Sequence, residues 1–280
     1  MDKCLVRDEK GMSGELFKPL GYQLATQAVL AGSAVGTTWF DGLDEPRLAL
    51  MKVGHRLYLA GSSQQSDSGY QQLQCTLFDE LLIEARARGD DGFLLYYADP
   101  EWEEVLSARI FGDWKVYPGR RNYFELALPN STWPPHTPVM PEGIQLVKVD
   151  GALLAQTGLK HYEDLIEEMH SERESVEDFL SHSFGTVMVG DGSVLGWCLS
   201  EYNLNDRCEI GIGTNEAYQR KGLATLAGIH MINQALEKGI RRVGWHCWLR
   251  NEGSNATARK LGFKHINEHG AYYLPANKQE

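Results

Sequence analysis

In this 280-residue chain, the residues best suited to chemistry lie between Glu209 and Thr225. At their centre is a short loop, Gln219-x-x-Gly222-x-Ala224, with Thr225 next. Small residues at 222 and 224 let a ligand come close to the backbone. Where such a loop opens a helix, unpaired N–H groups and the positive dipole end favour an anion. Arg220 and Lys221 add positive charge at the same place. Gln219, Arg220, Lys221, Gly222, Leu223, Ala224 and Thr225 therefore read as a cradle for a pyrophosphate. The loop is too short for a P-loop and lacks its Gly-Lys-Ser/Thr ending. Nor does Gly211-x-Gly213 open a helix directly, as a dinucleotide fingerprint does.

The strand expected over residues 207–214 leads into this loop. Its alternation puts Cys208, Ile210 and Ile212 on one face and Glu209, Gly211 and Gly213 on the other. Glu209 thus lies opposite the apolar residues, beside glycines that leave room for a substrate, unless it is an ordinary strand charge paired with Arg207 or Arg242. Downstream, His246 alternates with Val243, Trp245 and Cys247, so it either faces the cleft or is a satisfied core histidine.

Both sites need a scaffold, and the chain alternates strand and helix signals throughout. Helices are expected over 17–30, 70–88 and from Pro100, with strands over 36–41, 47–53, 56–60, 92–98 and 121–128. Five of the ten prolines (Pro129, Pro134, Pro135, Pro138 and Pro141) fall between 129 and 143. Proline fixes φ and removes a donor, so this stretch reads as a linker between domains at 1–128 and 144–280. After it come a strand over 144–154, helices over 161–180, and a hairpin around Gly190-Asp191-Gly192-Ser193. A strand over 207–214, a long helix over 218–237, a strand over 243–248, a helix over 254–261 and a short strand over 271–274 complete the series. The two halves share a rough element order that duplication would explain, but no residue repeat between them is good enough to assert it. The fold class is α/β or α+β.

Composition removes several function classes. The net charge is −11, shared evenly between the halves, with no basic stripe for nucleic acid. No apolar run is long enough to span a membrane, and the N-terminus lacks the apolar stretch of a signal peptide. The cysteines Cys4, Cys75, Cys198, Cys208 and Cys247 form no C-x-x-C. They argue against a disulfide framework or zinc site and for a reducing cytoplasm. No metal site is expected. The acidic stretch Glu163–Asp178 is either a solvated helix face, with Leu165, Ile166 and Met169 inward, or an attractor for a cationic amine.

Gln219-x-x-Gly222-x-Ala224 after a strand resembles the acetyl-CoA loop of the GNAT superfamily of N-acetyltransferases. The following strand Val243–Trp248, Asn251, Ser254 and the ending Lys260-Leu261-Gly262-Phe263 extend the resemblance over residues 144–274. The N-terminal half is similar, more loosely, to the leading domain of a two-domain subgroup related to zwittermicin-type resistance acetyltransferases. That likeness rests on Ala28-Val29-Leu30-x-Gly32, Trp39-x-Asp41, Pro46 and Leu59-x-Gly61.

The resemblance implies a mixed sheet flanked by helices at the C-terminus, preceded by a smaller α/β domain, itself GNAT-like in a degenerate form, that shapes or covers the acceptor site. Acetyl-CoA would be the co-substrate. Its pantetheine would pair with the backbone of Ile210, Ile212 and Thr214, its pyrophosphate would sit on Gln219–Thr225, and Asn251 and Ser254 would lie near the thiol. The acceptor would be the primary amine of a small molecule, with Glu209 as base in direct transfer. Many members use a tyrosine as acid where this chain has Ala258, leaving Ser254, His246, Tyr272, Tyr273 or solvent as substitutes. A protein or peptide amine as acceptor, or a non-catalytic acyl-CoA-binding module, are the alternative readings. A homodimer is one assembly the resemblance allows.

Overall fold

The computed structural model describes residues 4–7, 14–42, 44–129, 133–173 and 175–277. Glu174 of the acidic stretch, residues 130–132 of the proline-rich segment and residues 1–3 lie outside them. The chain divides into two compact units, residues 1–121 with 269–280, and residues 122–268.

In the first unit, β1 (Val6–Arg7), β2 (Thr37–Phe40), β3 (Leu48–Val53) and β4 (Arg56–Gly61) pair antiparallel in sequence order. From β4 the chain crosses through α2 (Asp67–Gln74), a π-helical stretch Cys75–Leu81 and α3 (Leu82–Arg88) into β5 (Gly92–Tyr97). A crossover helix lets β5 return parallel to β4. Leu73, Leu77, Leu81, Leu82 and Ala85 bury one stripe of this helix against Leu57, Leu59, Phe93 and Leu95. α1 (Leu24–Leu30), preceded by a 3₁₀ turn, packs on β3. α4 (Glu101–Val105) follows β5, with Trp102 fully buried. The sulfurs of Cys4 and Cys75 are bonded, with Cα atoms 5.0 Å apart. The lack of a sequence motif gave no sign of this bridge, because a pair 71 residues apart has none.

In the second unit, β7 (Ile144–Lys148), β8 (Gly185–Gly190), β9 (Ser193–Leu204) and β10 (Arg207–Thr214) again pair antiparallel in sequence order. The β8–β9 hairpin turns at Asp191 and Gly192, both at positive φ, as a two-residue turn matched to strand twist requires. α8 (Leu223–Glu237) carries the chain to β11 (Arg242–Trp248), parallel to β10. α9 (Glu252–Lys260) follows and ends at Gly262, whose φ of +85° and the Phe263 N–H to Ala258 O bond form the left-handed cap that Leu-Gly-Phe predicts. One sheet face packs on α8 through Cys208, Ile210, Val243, Trp245, Leu226 and Ala227. The other packs on α6 (Tyr162–Glu172) and α7 (Val176–His182) through Leu165, Met169, Phe179 and Leu199.

The strand orders of the two units repeat one another strand for strand, with an exchange at the end. The last strand of the first half, β6 (Tyr117–Ala127), neighbours β11; the last of the second half, β12 (Lys264–Pro275), pairs with β5. The proline-rich segment packs on the second unit. Leu128 joins its core, and Trp133 donates its indole N–H to Asn233. The strand expected over 144–154 stops at Lys148, because Asp150 accepts the Leu153 N–H and caps α5 (Gly151–Leu154).

Candidate functional site

β10 and β11 pair from Arg207↔Arg242 to Ile210↔Trp245, and there the pairing ends. Both strands run on, β10 through Gly211, Ile212, Gly213 and Thr214, and β11 through His246, Cys247 and Trp248. The diverging segments form a V whose β10 wall keeps its other edge on β9, Gly211↔Leu199 to Thr214↔Gly196. Ile210 is buried and Ile212 packs against the same core, so their side chains are fixed while the β10 edge facing the V is left unmatched by β11.

The loop lies at the end of that wall. The Gln219 side-chain amide donates to Thr214 O at 3.1 Å, tying the loop back to the strand. Arg220 and Gly222 both have positive φ, 59° and 79°. These turns break the helix expected over 218–237 into a 3₁₀ turn at Glu216–Tyr218 and α8, which Gly222 caps. The first helical bond runs from Leu226 N–H to Gly222 O at 3.1 Å. The N–H groups of Leu223, Ala224 and Thr225 precede it and have no partner inside the helix. Leu223 and Thr225 are buried and Ala224 is half-buried, so the turn is held from below. The Lys221 ammonium lies 4.7 Å from the Tyr218 ring centroid. A Cβ on Gly222 would meet Pro138 at 3.3 Å and would also be strained by the backbone. These features suit an anionic phosphate group approached through glycine.

Opposite the α8 face, Glu209 is 2 % exposed, and its Oε1 lies 3.3 Å from His246 Nε2. Glu209 pairs across the strands with Gly244, where a Cβ would stand 2.9 Å from Glu209 Cγ and 3.1 Å from the Tyr123 ring. Glycine here makes the space in which the carboxylate and the phenol converge. The Tyr123 ring stacks on His246, centroids 4.6 Å apart, and its hydroxyl donates to Glu125 at 3.1 Å. Burial, with the Glu209 and Glu125 carboxylates, raises the Tyr123 pKa, so the phenol stays protonated. A bulge in β9 at Glu201 brings its carboxylate against Gly211, and Glu168 Oε1 of α6 lies 3.3 Å from where a Gly211 Cβ would be. Trp197 covers Gly213. The α6 helix thus buries Leu165 and Met169 while Glu168 reaches the Glu209 face.

Asn251 caps α9, accepting the Ser254 N–H at 3.0 Å, and Ser254 Oγ accepts the Trp245 indole N–H at 3.0 Å. Ala258 is fully buried in the α8-side core. Tyr272 and Tyr273 belong to the first unit and donate their hydroxyls to Glu103 O and Asp91 O. The structure therefore brings Glu209 and His246 together on one face, and Asn251 and Ser254 at the start of α9. Tyr123, Gly244 and Glu201 carried no local signal, and Glu168 stood out only as one of several carboxylates in the acidic stretch 163–178. Only strand pairing brings the first two to Glu209, and only a bulge and a helix docking bring the others.

A family model described as GNAT acetyltransferase matches residues 14–272. The chain belongs to that family. It is an N-acetyltransferase whose co-substrate is acetyl-CoA, and the open α8 N-terminus and glycine-lined approach fit that group. The uncharacterized N-acetyltransferase YdfB of Bacillus subtilis is 28% identical over 193 residues, 68% of this chain and 69% of its own length. A GCN5-related N-acetyltransferase-like protein from Streptococcus suis shares the fold with a TM-score of 0.65 at 19% identity, covering 93% of this chain and 94% of its own. A tandem GNAT protein from the clavulanic acid biosynthesis pathway does so at 0.56 and 13%, covering 99% of each chain.

Proposed function

We propose that this enzyme transfers the acetyl group directly, within a ternary complex, to the primary amine of a small molecule. The N–H groups of Leu223, Ala224 and Thr225, with Gln219, Arg220, Lys221 and Gly222, hold the pyrophosphate. The β10 backbone at Ile210, Ile212 and Thr214 holds the pantetheine along the V. Acetyl-CoA supplies the thioester. Glu209, assisted by His246, takes the proton of the attacking amine as its nitrogen bonds to the carbonyl carbon and the C–S bond breaks. Backbone N–H groups at the V polarise the carbonyl oxygen. Ser254, its oxygen already accepting from Trp245, keeps a hydroxyl proton to give to the thiolate, and Asn251 fixes its position through the helix cap.

The observation that carries this reading is the buried Glu209–His246 pair at the mouth of the V. Glu209→Gln is expected to lower kcat about 10²–10⁴-fold while leaving acetyl-CoA affinity unchanged. Wild-type turnover by this variant removes Glu209 from the mechanism. Glu168 and Glu201 beside Gly211 support a cationic acceptor, so a panel of polyamines, amino sugars and aminated antibiotics is the screen, the last suggested by the zwittermicin-type likeness. A charge of −11 supports an acceptor other than nucleic acid or a membrane surface. A cytoplasmic location and a homodimer complete the reading. Light scattering tests the dimer, and a free-thiol count on protein from reducing cells tests the location against the Cys4–Cys75 bond.

A further inference from the structure

The repeat within the chain allows each part of the second unit's site to be matched with its counterpart in the first. Both β-hairpins before the crossover turn over two residues, Val53↔Arg56 and Leu204↔Arg207. Counting from there, Leu57 matches Cys208, each facing its crossover helix, and Tyr58 matches Glu209. Across the parallel pair, Tyr58↔Tyr96 matches Glu209↔Gly244.

At each place where the second unit is open, the first is filled. Tyr58 and Tyr96 stack, centroids 5.2 Å apart and 13° from parallel, where the second unit has a carboxylate over a glycine. The β3–β4 register runs without the shift that places Glu201. β5 ends at Tyr97, the counterpart of Trp245, so no second wall continues the V. Past the last pair, the Gly61 carbonyl of β4 accepts the Trp102 indole N–H at 3.1 Å. The loop before the crossover helix is tied by its own side chains. Tyr70 donates to Ser63 O, Gln65 to Ser62 O, and Ser63 to Glu101. Ser66 Oγ takes the Gly69 N–H at the helix start. Asp67 puts a carboxylate in the first turn, paired with Arg109 at 2.7 Å, where α8 has no acidic residue and is preceded by Arg220 and Lys221. A phosphate there would meet a capped helix and a like charge.

We infer that the chain binds one acetyl-CoA, on the second unit alone, and that the first unit is a repeat whose cofactor cleft is closed by its own side chains. This rests on the proposed cofactor loop and extends it to the number of sites. Calorimetric titration of the full chain with acetyl-CoA, together with hydrogen exchange read by mass spectrometry, tests it. The expected result is one equivalent per chain, with added protection in peptides covering 219–226 and none in peptides covering 62–69. Two equivalents, or protection of 62–69, overturn the inference while leaving the α8 loop standing. Protection at 62–69 without any at 219–226 overturns both, as does a folded wild type that gives neither heat nor protection. The wild-type protein alone decides the outcome. Gly222→Glu, where it folds, is expected to abolish binding completely, and one remaining equivalent counts against the inference.

Discussion

Gly244→Ala tests whether the face built around Glu209 does the chemistry. Gly244 does not have a positive φ, so alanine adds bulk without backbone strain. The new Cβ would stand 2.9 Å from Glu209 Cγ and 3.1 Å from the Tyr123 ring, and ordinary contact begins at 3.4 Å. Glu209 must retreat by about 0.5 Å and Tyr123 by about 0.3 Å, and both are buried, so the shift costs about 1–3 kcal/mol of packing. Misplacing a catalytic group by about 1 Å costs about 10²-fold in rate, so half that displacement implies about tenfold in kcat. The cofactor loop is untouched, and acetyl-CoA affinity is expected to stay at the wild-type value. The assay is thiol release with the amine that the wild type turns over fastest, beside a calorimetric Kd and a thermal melt. A folded variant with wild-type kcat would refute the argument, because Glu209 would then have moved without consequence.

Glu168→Gln with Glu201→Gln is expected to raise KM for a dicationic amine more than for a monocationic one, at unchanged acetyl-CoA Kd; equal changes count against an acidic acceptor wall. The His230 pKa is lowered, first by burial and then by the Lys148 cation, while Glu237 opposes both. Its contribution to stability is therefore complete above the ordinary value of 6.5 and is lost as pH falls through the lower folded value. His230→Asn is expected to flatten the melting temperature between pH 6.5 and 5, and an unchanged slope would exclude His230 as the cause. Closing a loop with a sequence separation of 71, the Cys4–Cys75 bond should stabilise the oxidised chain by at most about 4 kcal/mol. Cys4→Ser should lower the denaturation midpoint only under oxidising conditions, and an equal fall in reductant would show that the bond is not what stabilises.

The parts of the site made by neighbouring residues were legible in the sequence. The Gln219–Thr225 loop needs glycine, small residues and a following helix, and all of these lie within a few positions. Glu209's face followed from alternation, since the bulge falls on β9 and leaves the period of β10 intact. Features set by distant pairing were not legible. Tyr123 reaches Glu209 because β6 lies beside β11, and no local pattern specifies a strand's neighbour. The long β12 read as a short strand because Lys264–Glu268 are mostly exposed and carry little alternation. The end of the strand expected over 144–154 was misjudged because a single side chain decides it, Asp150 capping α5. The compact units divide after Arg121 and again before His269, since prolines mark where a chain is irregular while packing decides which residues cluster.

The exchange of β6 and β12 has a consequence for anyone cutting or recombining this chain. A break within the proline-rich segment, the natural place to cut a two-domain protein, would leave residues 144–280 without β6 and residues 1–128 without β12. Each fragment would expose the outer edge of a parallel strand, β11 in one and β5 in the other, as unpaired N–H and C=O groups. Such edges template aggregation. The halves are therefore not interchangeable modules, and a functional graft of the acetyl-CoA-binding part has to begin upstream of Asn122, carrying Tyr123 with it.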